Sequence, residues 1–136
     1  MILATALLCM SLNIYHESRG ESLDGQRAVA LVTWNRAEHE PKKVCDVVTK
    51  PKQFSWVMWK VKRSHGAYAL KDNGLPDENS EAWRSAMFTA RLVLKNKLPD
   101  TTKGATFYHA DYAKPIWRHS MRLTVVFGHH IFYKLA

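Results

Sequence analysis

The sequence is short of cysteine and of acid, and it lacks the common metal-ligand spacings; each shortage excludes something. Its two cysteines, Cys9 and Cys45, form no C-x-x-C pair, which leaves neither a zinc-ribbon nor a thioredoxin-like motif. Both lie in apolar runs with no base beside them, which argues against a nucleophilic thiol and for reduced core residues rather than a disulfide. There are seven histidines but no H-E-x-x-H: His16-Glu17 has no histidine three residues on. No elbow motif for a serine nucleophile occurs. Repeats, low-complexity tracts and linkers are also missing. The uncharged run from Ile2 to Ile14 has no basic leader and is too short for a bilayer. It is therefore expected to be a first core helix rather than a cleavable signal or a stable membrane insertion.

What remains is a chain of 136 residues, enough for one domain, 1–136, with its own core. Apolar residues at 46% and charged residues at 24% place it among globular rather than disordered chains. Twenty Lys and Arg against twelve Asp and Glu give a net charge of +8. Such a surplus favours an anionic partner: nucleic acid, an acidic membrane surface or a cell-wall polymer.

Helices should fill the first two-thirds of the chain. The first is expected from about Ile2 to Arg19, apolar nearly all round and central in the core. A second should run from about Asp24 to Glu38, with Ala28, Val29, Leu31 and Val32 on one face and Gln26, Arg27 and Arg36 opposite. Pro41 and two lysines break it, and a short helix from Val44 to Thr49 follows. Residues from Lys50 to Pro76 read as a long loop carrying short irregular helices. Asn79-Ser80-Glu81 caps a helix reaching about Lys97. Ala105 to His109 and Leu123 to Tyr133 are rich in β-branched and aromatic residues and read as strands, with a loop or short turn between them. Helices first and strands last imply an α+β domain with a small antiparallel sheet.

The densest chemistry lies at Tyr15-His16-Glu17-Ser18-Arg19-Gly20-Glu21. Glu17 is expected on the last buried turn of the first helix, where scarce water raises a carboxyl pKa. Gly20 is a natural stop for that helix in the left-handed conformation. A carboxylic acid held protonated near neutral pH is what glycosidic-bond cleavage requires. The alternative is a surface charge cluster in which Arg19 pairs with either glutamate.

Several pieces now line up in order. They are Ile14-Tyr15-His16-Glu17-Ser18-Arg19-Gly20-Glu21, Gly25-Gln26-Arg27-Ala28-Val29-Ala30, Asn35-Arg36, Val44-Cys45-Asp46-Val47-Val48 and Gln53-Phe54-Ser55. Then come Gly104-Ala105-Thr106-Phe107-Tyr108-His109, Pro115-Ile116-Trp117 and Gly128-His129-His130-Ile131-Phe132-Tyr133. From about residue 11 to 134 the chain resembles the SleB-type cell-wall hydrolases, a group that includes spore-cortex lytic enzymes and phage endolysins. The resemblance implies a lysozyme- or transglycosylase-like cleft acting on the peptidoglycan glycan strand, as a lytic transglycosylase or muramidase without a cofactor. The first glutamate of the family's E-x-R-G-E motif, its catalytic acid, falls on Glu17. A stand-alone basic domain, expected to be a monomer, suits an endolysin made in the cytoplasm and acting on the wall.

The other candidates each have two readings. Glu21 is a second catalytic carboxylate or, as the stronger reading, a structural acceptor for Arg19 or for amides of the second helix; Asp24 is read as structural in the same way. Gln53, Phe54, Ser55, Tyr108 and His109 offer the amides, hydroxyls and aromatic faces that bind N-acetyl sugars, and Phe54 equally suits the core. Successive strand residues alternate, so Tyr108 and His109 cannot both face the cleft, and Tyr108 is favoured. Trp117 is a sugar platform or a lid on the sheet. His130, sharing a face with Phe132, is a hydrogen-bond partner near Glu17 or a core histidine. A zinc-dependent N-acetylmuramoyl-L-alanine amidase would need His16, His109 and His130 to converge; no metal is expected. A nucleic-acid binder would need lysines clustered on one helix face, whereas Lys42, Lys43, Lys50, Lys52, Lys60 and Lys62 are assigned to irregular stretches, so no nucleic-acid partner is expected.

Overall fold

A computed structural model describes residues 1–72 and 74–136. The α+β expectation holds. Helices α1 (Ala6–Ser18), α2 (Leu23–Arg36), α3 (Pro41–Thr49) and α4 (Ser55–Lys60) come first. The strands β1 (Val61–Ser64) and β2 (Ala67–Leu70) follow, then α5 (Glu81–Leu94). The chain ends with β3 (Phe107–Ala110), a 3-10 helix at Ile116–Ser120, β4 (Met121–Phe127) and β5 (His130–Leu135). Among the described residues no helix is long and apolar enough to cross a membrane.

α1 is the central helix, as its composition predicts. Cys9, Met10, Leu12 and Ile14 are completely buried, and the helix packs on α2, α3 and α5. It starts later than expected, at a Thr5 cap whose hydroxyl accepts from the Leu8 N–H at 3.2 Å. Residues ahead of it are taken by pairing with β2: the Leu3 N–H donates to Tyr68 O and the Leu70 N–H to Met1 O, both at 2.8 Å. Its end is also reached differently. Arg19 leaves helical geometry at φ −63°, ψ 69°, and Gly20 is not among the positive-φ glycines. No left-handed glycine stops this helix.

α2 is capped by Ser22, whose hydroxyl accepts from the Gly25 N–H at 3.2 Å. It is buried from Ala28 through Trp34 rather than two-faced, because α1 and α5 cover one side and the sheet the other. α3 begins at Pro41 rather than at Val44; proline lacks only an N–H that the first turn leaves unused. Lys42 and Lys43 therefore lie in a helix, Lys60 ends α4 and Lys62 is on β1, so these lysines are not confined to irregular chain. The expected loop from Lys50 to Pro76 holds α4 and the β1–β2 hairpin; its position 73 lies outside the described residues. Buried Asn13 ties three helices together. It accepts from the Trp56 indole N–H at 2.8 Å, and its own amide donates to the Thr33 hydroxyl at 3.3 Å.

The cysteines correct the sequence reading. Cys9 of α1 and Cys45 of α3 form a disulfide with their Cα atoms 5.3 Å apart. Apolar surroundings suit reduced and bridged cysteines alike, and only the packing of α1 on α3 brings the two together.

The C-terminal sheet is antiparallel in the order β3-β5-β4. Tyr108 lies opposite Phe132 and Ala110 opposite His130. Phe127 pairs with His130, leaving a two-residue turn at Gly128-His129 in which Gly128 has φ +54°. Its left-handed φ favours glycine, and a Cβ there would lie 2.6 Å from Glu21 Oε2, so any side chain at this position would displace the Glu21 carboxylate. A smaller core of Ala28, Val29, Val32, Ala105 and Phe132 joins α2 to the sheet. Tyr108 packs on both this core and the helical one, and the last turn of α1 reaches the same seam.

Candidate active site

Glu17 projects from the last turn of α1 into a cavity of about 300 Å³. Val32 and Arg36 of α2, Gln53 and Phe54 ahead of α4, Phe107 and Tyr108 of β3, and Trp117 complete most of its wall. The Tyr108 phenol donates to Glu17 Oε1 at 2.7 Å. Burial raises the Glu17 carboxyl above its ordinary value, and the Tyr108 hydrogen bond partly opposes the rise. A carboxylate at a helix C-terminus also faces the negative end of the dipole. Tyr108 keeps its proton because burial, and then the neighbouring Glu17 charge, push its pKa well above the usual phenol value. The phenol is thus a fixed neutral donor beside a carboxyl poised to hold a proton.

Arg19 does not pair with either glutamate; its guanidinium lies 4.5 Å from the centre of the Tyr15 ring. Glu21 is not bound to Arg19 or to the amides of α2. Its carboxylate sits against the β4–β5 turn, 3.7 Å from His130 Nδ1, while its backbone carbonyl accepts from the Gln26 amide at 3.0 Å. It borders a second opening that Glu17 also lines and does not line the main cavity.

The remaining sequence candidates separate clearly. Tyr108 faces the cavity and His109 faces away, as alternation requires. Ala110 O can only accept, so His109 Nδ1 donates to it at 2.7 Å, and bare Nε2 accepts from the Tyr133 hydroxyl at 2.9 Å. Trp117 serves as both wall and lid: it lines the cavity and packs on Phe107, His109 and Tyr133. Phe54 is core and cavity wall together. Gln53 reaches the cavity, but Ser55, the exposed first residue of α4, does not line it. His130 is buried and meets the Tyr108 ring at 5.2 Å, edge to face, without a hydrogen bond to Glu17; its Nδ1 has no hydrogen-bond partner. It reaches the site's neighbours, the Tyr108 ring and the Glu21 carboxylate, rather than Glu17 itself.

Val32, Arg36, Lys52 and Phe107 were not singled out from sequence. Arg36 in particular reads as the solvent face of α2, yet its Nη2 donates to Gln53 Oε1 at 2.8 Å inside the cavity. The three histidines that a zinc amidase would need together are apart. His16 stacks on Trp56 with ring centres 4.8 Å apart, away from His109 and His130. Among the described residues no group of three His, Cys, Asp or Glu side chains is arranged to hold a metal.

His16 gives the fold an acid sensitivity. Burial, then the charges of Arg19 and Lys60, lower its pKa from 6.5 to about 4. The unfolded chain takes up this proton below pH 6.5 while the folded chain refuses it until about 4, so stability is lost as pH falls through that window. His130, lowered chiefly by burial, has the same sign; Glu17, raised, has the opposite sign. The melting temperature should therefore drop between neutral pH and pH 4, and His16→Phe, which preserves the stack on Trp56, should flatten the drop. A wild-type slope in the variant would assign the acid loss elsewhere.

Comparisons agree with this geometry. The family model described as Cell Wall Hydrolase matches residues 20–133, starting just after Glu17. The fold is similar to the catalytic domain of the germination-specific lytic transglycosylase SleB from Bacillus anthracis, with 30% identity and a TM-score of 0.69, covering 95% of this chain and 93% of that one. It is also similar to the catalytic domain of the Bacillus cereus SleB protein, with 26% identity, a TM-score of 0.62, and coverage of 95% and 89%. Comparison with curated protein sequences finds no match. With the family model covering most of its length, the chain belongs to the cell wall hydrolase family, and it is a peptidoglycan-degrading enzyme of the SleB type.

Proposed function

We propose that this enzyme cleaves the β-1,4 bond between N-acetylmuramic acid and N-acetylglucosamine as a lytic transglycosylase, with Glu17 as its single acid and base. The observation that carries this reading is the half-buried Glu17 carboxyl, held by the neutral Tyr108 phenol in a cavity whose wall, among the described residues, has no other carboxylate. Protonated Glu17 gives its proton to the glycosidic oxygen as the C1–O bond breaks, a contribution of roughly 100- to 10,000-fold. The resulting carboxylate takes the proton of the muramic C6 hydroxyl, whose oxygen bonds to C1 and closes a 1,6-anhydro ring. Tyr108 stays a donor to the carboxylate through both steps.

Two-carboxylate glycosidases need a second acid about 5–9 Å from the first. Glu21 is the candidate the sequence offers, but its carboxylate packs against His130 and the Gly128 turn, which supports a structural role and the one-carboxylate scheme. The Cys9–Cys45 disulfide supports action outside the cytoplasm, where such bonds persist. Digestion of purified peptidoglycan followed by mass spectrometry tests the reading. Fragments ending in 1,6-anhydro-muramic acid are expected. Reducing muramic ends would mean hydrolysis and return Glu21 to consideration, while free stem peptides with intact glycan would overturn glycan cleavage and favour an amidase.

A further inference from the structure

Arg36 is a cation without an anion. It is partly buried, and burial pulls its pKa down from the ordinary guanidinium value. It joins none of the ion pairs formed among the described residues. A guanidinium has five N–H donors. One goes to the Gln53 carbonyl oxygen, and the flat face lies 5.3 Å from the centre of the Phe107 ring. No other Arg36 nitrogen is sealed off without a partner; Arg36 lines the Glu17 cavity and also borders another opening with Glu38 and Asp46, neither of which pairs with it. Lys52 adds a second cation to the same wall, where among the described residues Glu17 is the sole acid and is itself engaged by Tyr108.

Half-burying a guanidinium beside a neutral amide is unfavourable unless something else completes its hydrogen bonds. Its planar fork matches a carboxylate in two parallel hydrogen bonds. Gln53 and Phe107 fix the fork in place before any ligand arrives, so little side-chain freedom is lost on binding. Resting on the glycan-cleaving reading above, we infer that Arg36, assisted by Lys52, binds a carboxylate carried by the muramic residue next to the scissile bond. The enzyme then distinguishes acidic glycan from neutral glycan of the same backbone. Two sources supply that group: the lactyl carboxylate of strands stripped of peptide, and a carboxylate of an attached stem peptide.

The test compares kcat/KM of the wild-type enzyme on two glycan preparations, stem-bearing and amidase-stripped, each untreated or with its carboxylates converted to amides by carbodiimide and ammonia. Charge-assisted recognition predicts that amidation lowers kcat/KM by about tenfold or more, mainly through KM. Loss on the stripped preparation assigns the lactyl carboxylate; loss confined to the stem-bearing preparation assigns the peptide. Arg36→Gln should bring the ratio of untreated to amidated rates towards one, whatever its absolute rate. Because the wild-type comparison needs no variant, a poorly folded Arg36→Gln does not rescue or sink the inference. Cleavage of amidated and untreated glycan at equal rates by the wild type would overturn carboxylate recognition while leaving glycan cleavage intact. Release of no sugar fragments from any preparation would overturn glycan cleavage, and this inference with it.

Discussion

Glu17→Gln should lose wall lysis by at least ~100-fold and melt at a higher temperature than the wild type. Both effects come from one cause. The carboxyl lies at the buried end of α1, and burial raises its pKa, so ionising it in the folded protein costs more than in water. The folded chain binds this proton at a pH where the unfolded chain has released it, so the group lowers stability as pH rises from the ordinary glutamate value of 4.5 through the raised one. Glutamine has nothing to ionise and keeps an oxygen for the Tyr108 phenol now 2.7 Å from Glu17, but it cannot deliver a proton. Activity assays and thermal melts at neutral pH read the two effects separately. Full activity would remove Glu17 from the chemistry. A lower melting temperature would mean that favourable contacts of the carboxylate outweigh the cost of burying it.

Removing the disulfide should be the largest change in stability away from the cavity. Cys9 and Cys45 are 36 residues apart in sequence, and closing a loop of that size restricts the unfolded chain by about 3–4 kcal/mol in the loop-entropy description. For a domain of this size such a loss lowers the melting temperature by roughly 10 °C. Cys9→Ala with Cys45→Ala should show that drop while retaining activity at room temperature, because neither residue lines the cavity. The bond joins α1 near its start to the middle of α3, whereas Glu17 sits at the far end of α1. Reduction and alkylation followed by mass measurement establishes whether the bond is present in the isolated protein. A double variant that melts with the wild type would mean that packing of α1 on α3 suffices without the bond.

The sequence by itself determined much about this protein. Local rules dictated the apolar α1, the Ser80-capped α5 and the strands at the end, because helical period, caps and β-branched runs act over a few residues. The same rules placed Glu17 on a buried last turn and required that only one of Tyr108 and His109 face the cleft, since alternation along a strand is fixed by backbone geometry; that it is Tyr108 came from the packing of the sheet on the helices. Tertiary structure decided everything that depended on distant partners. Cys9 met Cys45 only through packing of two helices, and Met1–Leu3 were taken from α1 by the edge of β2. Arg36, polar on a helix face in the sequence, became a cavity residue because the sheet and Gln53 closed over it. His130 and Glu21 were drawn to each other at the β4–β5 turn rather than to Glu17. Residue type sets what each side chain is able to do, but burial and proximity set which of those options is used, and neither is encoded within the span of one helix or strand.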